Sequence, residues 1–399
     1  MIDPGFSTPK TEIDDRIEKL QRRLLQEGID GALILQNTDL FYFSGTIQQS
    51  HLYIPAQGPP LLMVRKSLQR AKAESPLSTI LSLNSPKQLM ALIQANGLKP
   101  PAVMGMELDV LPTNIYFSYK RLFPEVEIRD VSIPIRMIRA VKSAYELNLI
   151  RQAAAFSDQV AETVPNLLRE GLTEIELAGM VEAQARRLGH QGIVRMRLWG
   201  AEMFYGHLMS GPAAAVPSFL ASPTGGASVS AAVAQGPSFR KIKRHEPILF
   251  DYVFAWKGYI SDHTRIYAIG HPPQRLVDAH AHMLDLQEQI KAMATPGTRA
   301  GDLYSAAIEI ADRKGVGKHF MGAGSDRIRF IGHGVGLELD EFPFLAHGQT
   351  TELEEGMVIA LEPKLVFPGK GVVGIENTHV VTQNGLDQLT HAEQQIVSI

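Results

Sequence analysis

Two aspartates interrupt a stretch of apolar and strand-forming residues, ILFDYVFAWKGYISDHTRIY, at residues 248–267. A β-hairpin with its tip at Trp256-Lys257 would place Asp251 directly opposite Asp262. Residues opposed in this way have Cβ atoms about 4.5–5.5 Å apart, so two carboxylates there, in apolar surroundings, repel each other strongly. A bound cation removes this repulsion. Otherwise the two acids share a proton, or one of them points to solvent or caps a turn.

A second stretch, ALEPKLVFPGKGVVGIENTHVV at residues 360–381, repeats the arrangement with glutamates. A three-residue loop at residues 368–370 would place Glu362 opposite Glu376. Two acidic pairs on two separate hairpins favour metal binding over coincidence. Four carboxylates require about two divalent cations to approach electrical neutrality.

One histidine has the surroundings expected of a metal ligand, within FIGHGVGLELDEFP at residues 330–343. Glycines on both sides of His333 allow backbone to pass close to a site, whereas most of the 13 histidines are expected to be structural. Four carboxylates and one imidazole favour Mn²⁺, Fe²⁺, Co²⁺ or Zn²⁺ over Ca²⁺. Two such ions about 3.5–4 Å apart would bind a hydroxide and polarise a carbonyl.

These residues belong to the second of two predicted domains. Residues 1–135 alternate helical and strand patterns and predict an α/β domain, and residues 136–399 begin with a long helical tract. Thr173 followed by Glu176 predicts a capping box at the start of the next helix. Residues 194–240 are rich in Gly, Ala, Ser and Pro, which is typical of a flexible linker or of loops and short strands near a site. The interspersed aromatic and Met residues favour the second interpretation.

The composition indicates a globular protein and excludes several classes of function. The chain has 399 residues, of which 45% are hydrophobic and 20% charged, and its net charge of −3 gives no reason to expect a nucleic-acid partner. No apolar run reaches the roughly 18 residues needed to span a bilayer, and the N-terminal segment lacks the apolar core of a secretory signal. The absence of cysteine excludes disulfides and thiol catalysis. We therefore expect a cytoplasmic protein that does not bind membranes.

The sequence resembles the methionine aminopeptidase/prolidase/creatinase group of pita-bread metallopeptidases, peptidase family M24, and especially its Xaa-Pro aminopeptidases and dipeptidases. The resemblance implies two divalent cations, Mn²⁺, Co²⁺, Zn²⁺ or Fe²⁺, and a homodimer. It also implies an α+β fold, in which a smaller α/β creatinase-type domain precedes a pita-bread domain of antiparallel sheet covered by helices. Five positions of this sequence match the metal ligands of the family: Asp251, Asp262 in YISDHTR, His333 in GHGVGLEL, Glu362 in LEP and Glu376 in GIEN.

Two positions depart from the family pattern. Relatives that cleave peptides usually read His-Glu-x-Pro after the metal histidine, whereas this chain has Asp340 in place of that histidine and keeps Glu341. Proline-specific relatives usually read Pro-His-Gly upstream of the first aspartate, where this chain has Gln235. Those histidines normally contact the substrate and the developing oxyanion, and losing one such donor lowers the rate by a factor on the order of 10²–10³. Three other histidines are candidates to fill the vacancy: His207, His347 and His379.

We expect an exopeptidase of the Xaa-Pro aminopeptidase or dipeptidase type that acts on short peptides. A metal-bridging hydroxide would attack the scissile carbonyl, and Glu341 would relay protons as general acid and base. Asp340 would donate a hydrogen bond only if protonated, or would bind a substrate amine instead. The altered positions leave open a metal-dependent hydrolase or lyase acting on a small non-peptide molecule. A non-catalytic binding member of the family is a third alternative, against which the retention of all five ligand residues argues.

Overall fold

A computed structural model of the chain describes residues 7–399. Its contacts divide the chain into two units, of which the first ends at Arg139 and the second begins at Ala140. Within the described residues, no helix has both the length and the apolar character that crossing a membrane requires.

The first unit is built on a mixed six-stranded sheet. Its strands are β1 (Gly31–Ile34), β2 (Ser50–Pro55), β3 (Leu61–Val64), β4 (Ile80–Ser82), β5 (Val103–Met106) and β6 (Glu127–Asp130). The helices are α1 (Lys10–Glu27), α2 (Asn37–Ser44), α3 (Leu68–Glu74), α4 (Leu89–Ala95), α5 (Thr113–Leu122) and α6 (Ser132–Ala140). The strand order is β4-β3-β2-β1-β5-β6, with β2 antiparallel to both of its neighbours.

Apolar side chains of this sheet form the core of the first unit. Leu33, Met63 and Met104 are buried and pack in one cluster with Ile93 of α4 and Tyr119 of α5. This burial fixes the helices on the sheet, because each fully buried large apolar side chain stabilises the fold by about 1.5–3 kcal/mol.

The second unit combines four long helices with three groups of mainly antiparallel strands. The helices are α7 (Ala144–Leu167), α8 (Glu174–Arg187), α9 (Gln274–Met293) and α10 (Ala300–Arg313). The first strands are β7 (Gly206–Ser210), β8 (Ile248–Trp256), β9 (Tyr259–Ala268), β10 (Phe330–Gly334), β11 (Glu341–Ala346) and β12 (Val358–Leu361). The remaining strands are β13 (Lys364–Phe367), β14 (Gly371–Gly374), β15 (Asn377–Thr382), β16 (Gly385–Gln388) and β17 (Val397–Ser398).

The strands form a four-stranded sheet, a five-stranded sheet and a hairpin. Their orders are β17-β9-β8-β7, β11-β10-β12-β15-β16 and β13-β14. An isolated antiparallel bridge joins Thr264, in the middle of β9, to Glu376, the residue immediately before β15. The hairpin and the larger sheets therefore meet at one place, where the acidic residues lie.

Helices α7 and α8 cover the four-stranded sheet with an apolar face. Val160 and Val164 of α7 and Val181 of α8 pack in one buried cluster with Phe250 and Phe254 of β8. The start of α8 has the predicted capping box. The Thr173 side chain accepts from the backbone N–H of Glu176, and the Glu176 carboxylate accepts from the backbone N–H of Thr173. That prediction is confirmed.

Candidate metal centre

Strands β8 and β9 carry the two aspartates on one face, in a register that differs from the predicted one. Asp251 lies opposite Thr264, and Asp262 lies opposite Val253. The prediction that the aspartates face each other directly is wrong, because the partner of Asp251 lies two residues beyond Asp262 along β9. The turn is formed by Lys257 and Gly258, which both have positive φ, at 50° and 92°, as a two-residue turn of type I′ requires. The aspartates are therefore diagonal neighbours.

The two glutamates lie opposite each other, as the sequence predicts. The pair Leu361 and Asn377 precedes them in the five-stranded sheet, and the pair Lys364 and Gly374 follows them in the β13–β14 hairpin. Both pairs belong to one continuous register, in which Glu362 and Glu376 are opposed. Their side chains are 7% and 2% exposed, so both carboxylates are buried.

Strand β10 presents His333 to the carboxylates with a fixed ring orientation. Nδ1 lies 3.1 Å from the carbonyl oxygen of Gly334 and 3.0 Å from that of Leu339, so Nδ1 carries the proton and donates it. Nε2 lies 4.0 Å from Asp262 Oδ2 and 3.8 Å from Glu362 Oε1. An imidazole whose second nitrogen is fixed by carbonyl groups is the usual arrangement of a metal-ligating histidine.

The flanking glycines of His333 allow the close packing that the sequence predicts. A Cβ atom on Gly332 would lie 2.5 Å from the carbonyl oxygen of Ala360, and one on Gly334 would lie 2.2 Å from that of Phe342. Any larger residue at either position would push β10 away from β11 or β12 and would displace His333.

The acidic cluster contains a strong electrostatic conflict. Burial raises the pKa of Asp262 well above its usual value, and the neighbouring carboxylates of Glu376 and Asp251 raise it further. Burial also raises the pKa of Glu376 to about 7, against the lowering effect of Lys364. The cluster therefore favours either a bound cation or a retained proton, which are the two states expected from the sequence.

Lys364 is the member of the cluster that the sequence analysis missed. Its Nζ lies 2.7 Å from Glu362 Oε2, 2.7 Å from Glu376 Oε2 and 3.1 Å from Asp251 Oδ2, and its side chain is 1% exposed. Burial lowers the pKa of Lys364, but the three carboxylates outweigh burial and hold the pKa well above its usual value. The position two residues after Glu362 was the available signal, because residues i and i+2 of an extended chain lie on one face.

Three of the five predicted ligands fit a divalent metal ion directly. Asp262, His333 and Glu376 each offer one ligand atom, and these atoms lie within 4.8 Å of one another. Oδ1 of Asp262 is buried and has no hydrogen-bond partner among the described residues, as expected of an oxygen that a metal would bind. Two carboxylates and one imidazole are ligands that Zn²⁺, Mn²⁺, Co²⁺ and Fe²⁺ accept.

A cavity of about 310 Å³ lies against the cluster, and all five predicted ligands line it. Most of its walls are apolar. Residues 194–240 provide one wall of the cavity, and strand β7 lies within this segment, so the interpretation as loops and short strands near a site is confirmed. The apolar side chains of the walls include Met196, Leu198, Met203, Leu220, Val253, Phe330, Leu339 and Phe344.

The two predicted catalytic acids have different surroundings. Asp340 lines the cavity, and its Oδ1 lies 3.7 Å from His333 Nδ1. Glu341 is 5% exposed and accepts from two backbone N–H groups of the preceding loop, at 2.9 and 3.1 Å. Its other oxygen lies 3.1 Å from Lys142 Nζ. Asp340 therefore lies at the cluster. Glu341 lies outside the cavity lining, where its carboxylate holds the backbone of the loop that precedes it.

His207 is the one candidate histidine among the described residues that line the cavity. It lies opposite Asp251 in the β7–β8 pair, and its Nε2 donates to Oε1 of Gln235 at 3.3 Å. Burial lowers the pKa of His207, although Asp251 and Gln235 oppose this effect. Gln235 therefore orients a neutral His207. His347 lies beside Tyr304, outside the cavity lining, and His379 is buried within β15.

Comparison with known proteins assigns both parts of the chain to known families. The profile of metallopeptidase family M24 matches residues 148–383, and that of the creatinase/prolidase N-terminal domain matches residues 16–141. The chain belongs to metallopeptidase family M24. The predicted fold class, a pita-bread domain preceded by a creatinase-type domain, is confirmed, and the protein is a peptidase of this metal-dependent family.

Relatives match this M24 member over nearly its whole length. An Xaa-Pro dipeptidase of Pyrococcus furiosus is 28% identical over 387 residues, which cover 96% of this chain and 99% of that protein. The solved prolidase of Pyrococcus horikoshii OT3 is 26% identical, with a TM-score of 0.80 and coverage of 96% of this chain and 100% of that one. The Xaa-Pro dipeptidase of Bacillus anthracis, at 23% identity, shares the fold with a TM-score of 0.83 over 97% of this chain and 100% of its own.

Proposed function

We propose that this M24 peptidase is a metal-dependent exopeptidase of the Xaa-Pro aminopeptidase or Xaa-Pro dipeptidase type. One observation carries the proposal: five ligand residues, distant in sequence, converge on one cavity with mostly apolar walls. The proposal includes the assignment of these five residues as metal ligands: Asp251, Asp262, His333, Glu362 and Glu376. Relatives named as Xaa-Pro dipeptidases and prolidases support the same bond specificity.

The metal, when bound, supplies Lewis-acid activation of a water molecule and of the scissile carbonyl. The chain supplies orientation. Because its Nδ1–H is held by two carbonyl groups, His333 presents Nε2 to the metal side of the site. Asp340 lies on the cavity wall beside His333 and is proposed to bind the substrate amino group by a charge-assisted hydrogen bond. The proton relay predicted for Glu341 stays a prediction, and it requires Glu341 to leave its contact with Lys142.

The size and chemistry of the cavity favour a short substrate with an apolar residue at the scissile bond. Its volume of about 310 Å³ lies at the lower end of the range of about 300–1,000 Å³ typical of small-ligand sites. Apolar side chains such as Val253 and Phe344 provide surface on which a pyrrolidine ring can be buried. The exposed Arg329 lines the same cavity and is proposed to bind the terminal carboxylate of a dipeptide.

Three further predictions from the sequence belong to this proposal. They are a cytoplasmic location, assembly as a homodimer, and the use of two divalent cations of the Mn²⁺, Co²⁺, Zn²⁺ or Fe²⁺ type. Lys364 bears directly on the number of cations.

Peptide hydrolysis tests the proposal directly. Purified protein is incubated with Mn²⁺, Co²⁺ or Zn²⁺ and with Ala-Pro, Ala-Pro-Ala or Ala-Ala, and the released amino acids are measured. We expect cleavage at the Xaa-Pro bond, with loss of activity in chelator and in Glu362→Gln. The exposed Glu354→Gln is the matched control. A metal-loaded protein that cleaves no Xaa-Pro peptide would contradict the proposal and favour a small non-peptide substrate.

A further inference from the structure

The buried lysine of the acidic cluster points to a metal centre with two unlike cations. We propose that the ammonium group of Lys364 takes the place of one metal ion, so that the centre binds one divalent cation per chain, at Asp262, His333 and Glu376. This inference deepens the proposed function and revises it in two respects: the number of cations falls from two to one, and Asp251 and Glu362 bind the ammonium group of Lys364 in place of a metal ion. It rests on that function for the presence of a divalent metal, and it is independent of the substrate.

The position of Nζ is the first reason. It lies between three carboxylate oxygens, at 2.7 Å from Glu362, 2.7 Å from Glu376 and 3.1 Å from Asp251. A metal ion bound by the same oxygens would lie about 2.0–2.2 Å from each of them and would occupy nearly the same space. An ammonium and a metal ion so close together would also repel each other in a buried site.

The side chain of Lys364 is built into this position. Across the β13–β14 hairpin it faces Gly374, where an added Cβ atom would lie 3.0 Å from Cγ and 2.7 Å from Cα of the lysine. Gly374 therefore leaves space for the lysine stem. The backbone of Lys364 is held as well, since its carbonyl accepts from Met321 N at 2.9 Å. With 1% of its side chain exposed, Lys364 is shielded from solvent.

Among residues 7–399, no lysine or arginine forms an ion pair with Asp262 in the other half of the cluster, and this half has the better ligands for a metal. His333 directs Nε2 toward Asp262 Oδ2, at 4.0 Å, and toward Glu362 Oε1, at 3.8 Å. Oδ1 of Asp262 is buried without a hydrogen-bond partner among residues 7–399. An imidazole ligand selects a divalent transition metal over an ammonium group, so the lysine and the metal ion occupy different halves.

Metal stoichiometry tests the proposal without reference to catalysis. Apo-protein is saturated with Mn²⁺ or Zn²⁺, passed through a desalting column, and analysed for metal per chain. We expect one ion in the wild type and two in Lys364→Met, which removes the charge and shortens the side chain by only its terminal atom. Lys370→Met removes a charge from the exposed loop of the same hairpin, and it should retain one ion.

Each other outcome overturns the proposal. Wild-type protein that holds two ions, or none, refutes the replacement, and a variant that still holds one ion shows that Lys364 is not what limits the number. If Lys364→Met does not fold, electron paramagnetic resonance of the Mn²⁺-saturated wild type decides. An isolated Mn²⁺ spectrum supports the proposal, and a spin-coupled pair overturns it. A protein with one ion that cleaves no Xaa-Pro peptide would contradict only the proposed function.

Discussion

Glu362 and Glu376 lie opposite each other at the place where their strands leave the five-stranded sheet and enter the β13–β14 hairpin. The register is the same on both sides of this step, so neither carboxylate is rotated out of the cluster. Lys364 Nζ lies 2.7 Å from one oxygen of each glutamate. The ammonium group thus links the two acids across the pair, and any account of metal binding must include it.

Asp262→Asn should have opposite effects on metal affinity and on the stability of the metal-free protein. It removes one ligand, so metal affinity should fall by more than about 100-fold. It also removes a buried carboxyl group whose pKa is raised by burial and by Glu376, so the metal-free variant should be more stable than the metal-free wild type at pH 8. Calorimetric metal titration and urea unfolding in chelator measure the two effects. A variant that is less stable without metal would contradict the electrostatic argument.

Asp340→Asn should weaken the binding of peptides that have a free amino terminus. The charged contact would become a neutral one, so KM should rise by about 10-fold with little change in kcat. Steady-state kinetics with Ala-Pro-Ala measures this change, and Asp387→Asn on the exposed surface is the control. Asp340→His tests the alternative, in which the histidine donor that relatives have at this position is what the reaction lacks. If it raised kcat, the missing histidine donor would limit the reaction, and Asp340 would have no role in amine binding.

Arg329→Met should raise KM for dipeptides but not for substrates that lack a terminal carboxylate. A hydrogen bond between charged groups contributes about 1.5–3 kcal/mol, so KM for Ala-Pro should rise by about 10- to 100-fold. The KM for the amide Ala-Pro-NH₂ should stay nearly unchanged, because that substrate lacks the partner of the guanidinium. An equal rise for both substrates would show that Arg329 acts on the shape of the cavity.

The sequence predicted that the acidic residues cluster, because their spacing reflects strand pairing. Gly369 and its neighbours form the three-residue loop that was expected, so the register of Glu362 and Glu376 followed from the spacing. The register of the first hairpin differs from the predicted one because its turn is formed by Lys257 and Gly258. Lys257 adopts a positive φ of 50° there, although it is not a glycine. Sequence patterns of apolar alternation do not distinguish a tip at 256–257 from one at 257–258.

Two contributors to the site could not be deduced in the same way. His207 lies at the site because β7 pairs with β8, and a long irregular segment separates these two strands in the sequence. The alternation of apolar and polar residues does not reveal a pairing between strands so far apart. Lys364 appears in the sequence as one lysine at the start of an apolar strand, where a basic residue usually points to solvent. Its burial becomes apparent only when all three carboxylate partners are placed around it.

His190 should make the stability of the protein sensitive to acid. It is 2% exposed, its Nδ1 accepts from Gly192 N at 2.9 Å, and its Nε2 donates to Val253 O at 3.2 Å. Burial lowers the pKa of His190 from 6.5 to about 4, so the folded state favours the neutral ring. The stability gained in this way is present above pH 6.5 and is lost as the pH falls toward 4. Between pH 7.5 and 5 the loss should be about 2 kcal/mol.

Urea unfolding of metal-free protein at pH 7.5 and pH 5 measures this contribution. His190→Gln should be less stable at pH 7.5 and should lose about 2 kcal/mol less than the wild type on acidification. His245→Gln, at an exposed position, should behave as the wild type does. An unchanged pH dependence in His190→Gln would show that other groups dominate acid sensitivity.

The position of a bound metal ion in a crystal decides whether Asp262, His333 and Glu376 form a metal site. Crystals of the protein grown with Zn²⁺ and measured at the zinc absorption edge would locate the ion by its anomalous scattering. We predict a peak about 2.0–2.2 Å from Nε2 of His333 and from carboxylate oxygens of Asp262 and Glu376. No peak within bonding distance of these residues in a zinc-saturated crystal, or a peak bound only elsewhere, would contradict it.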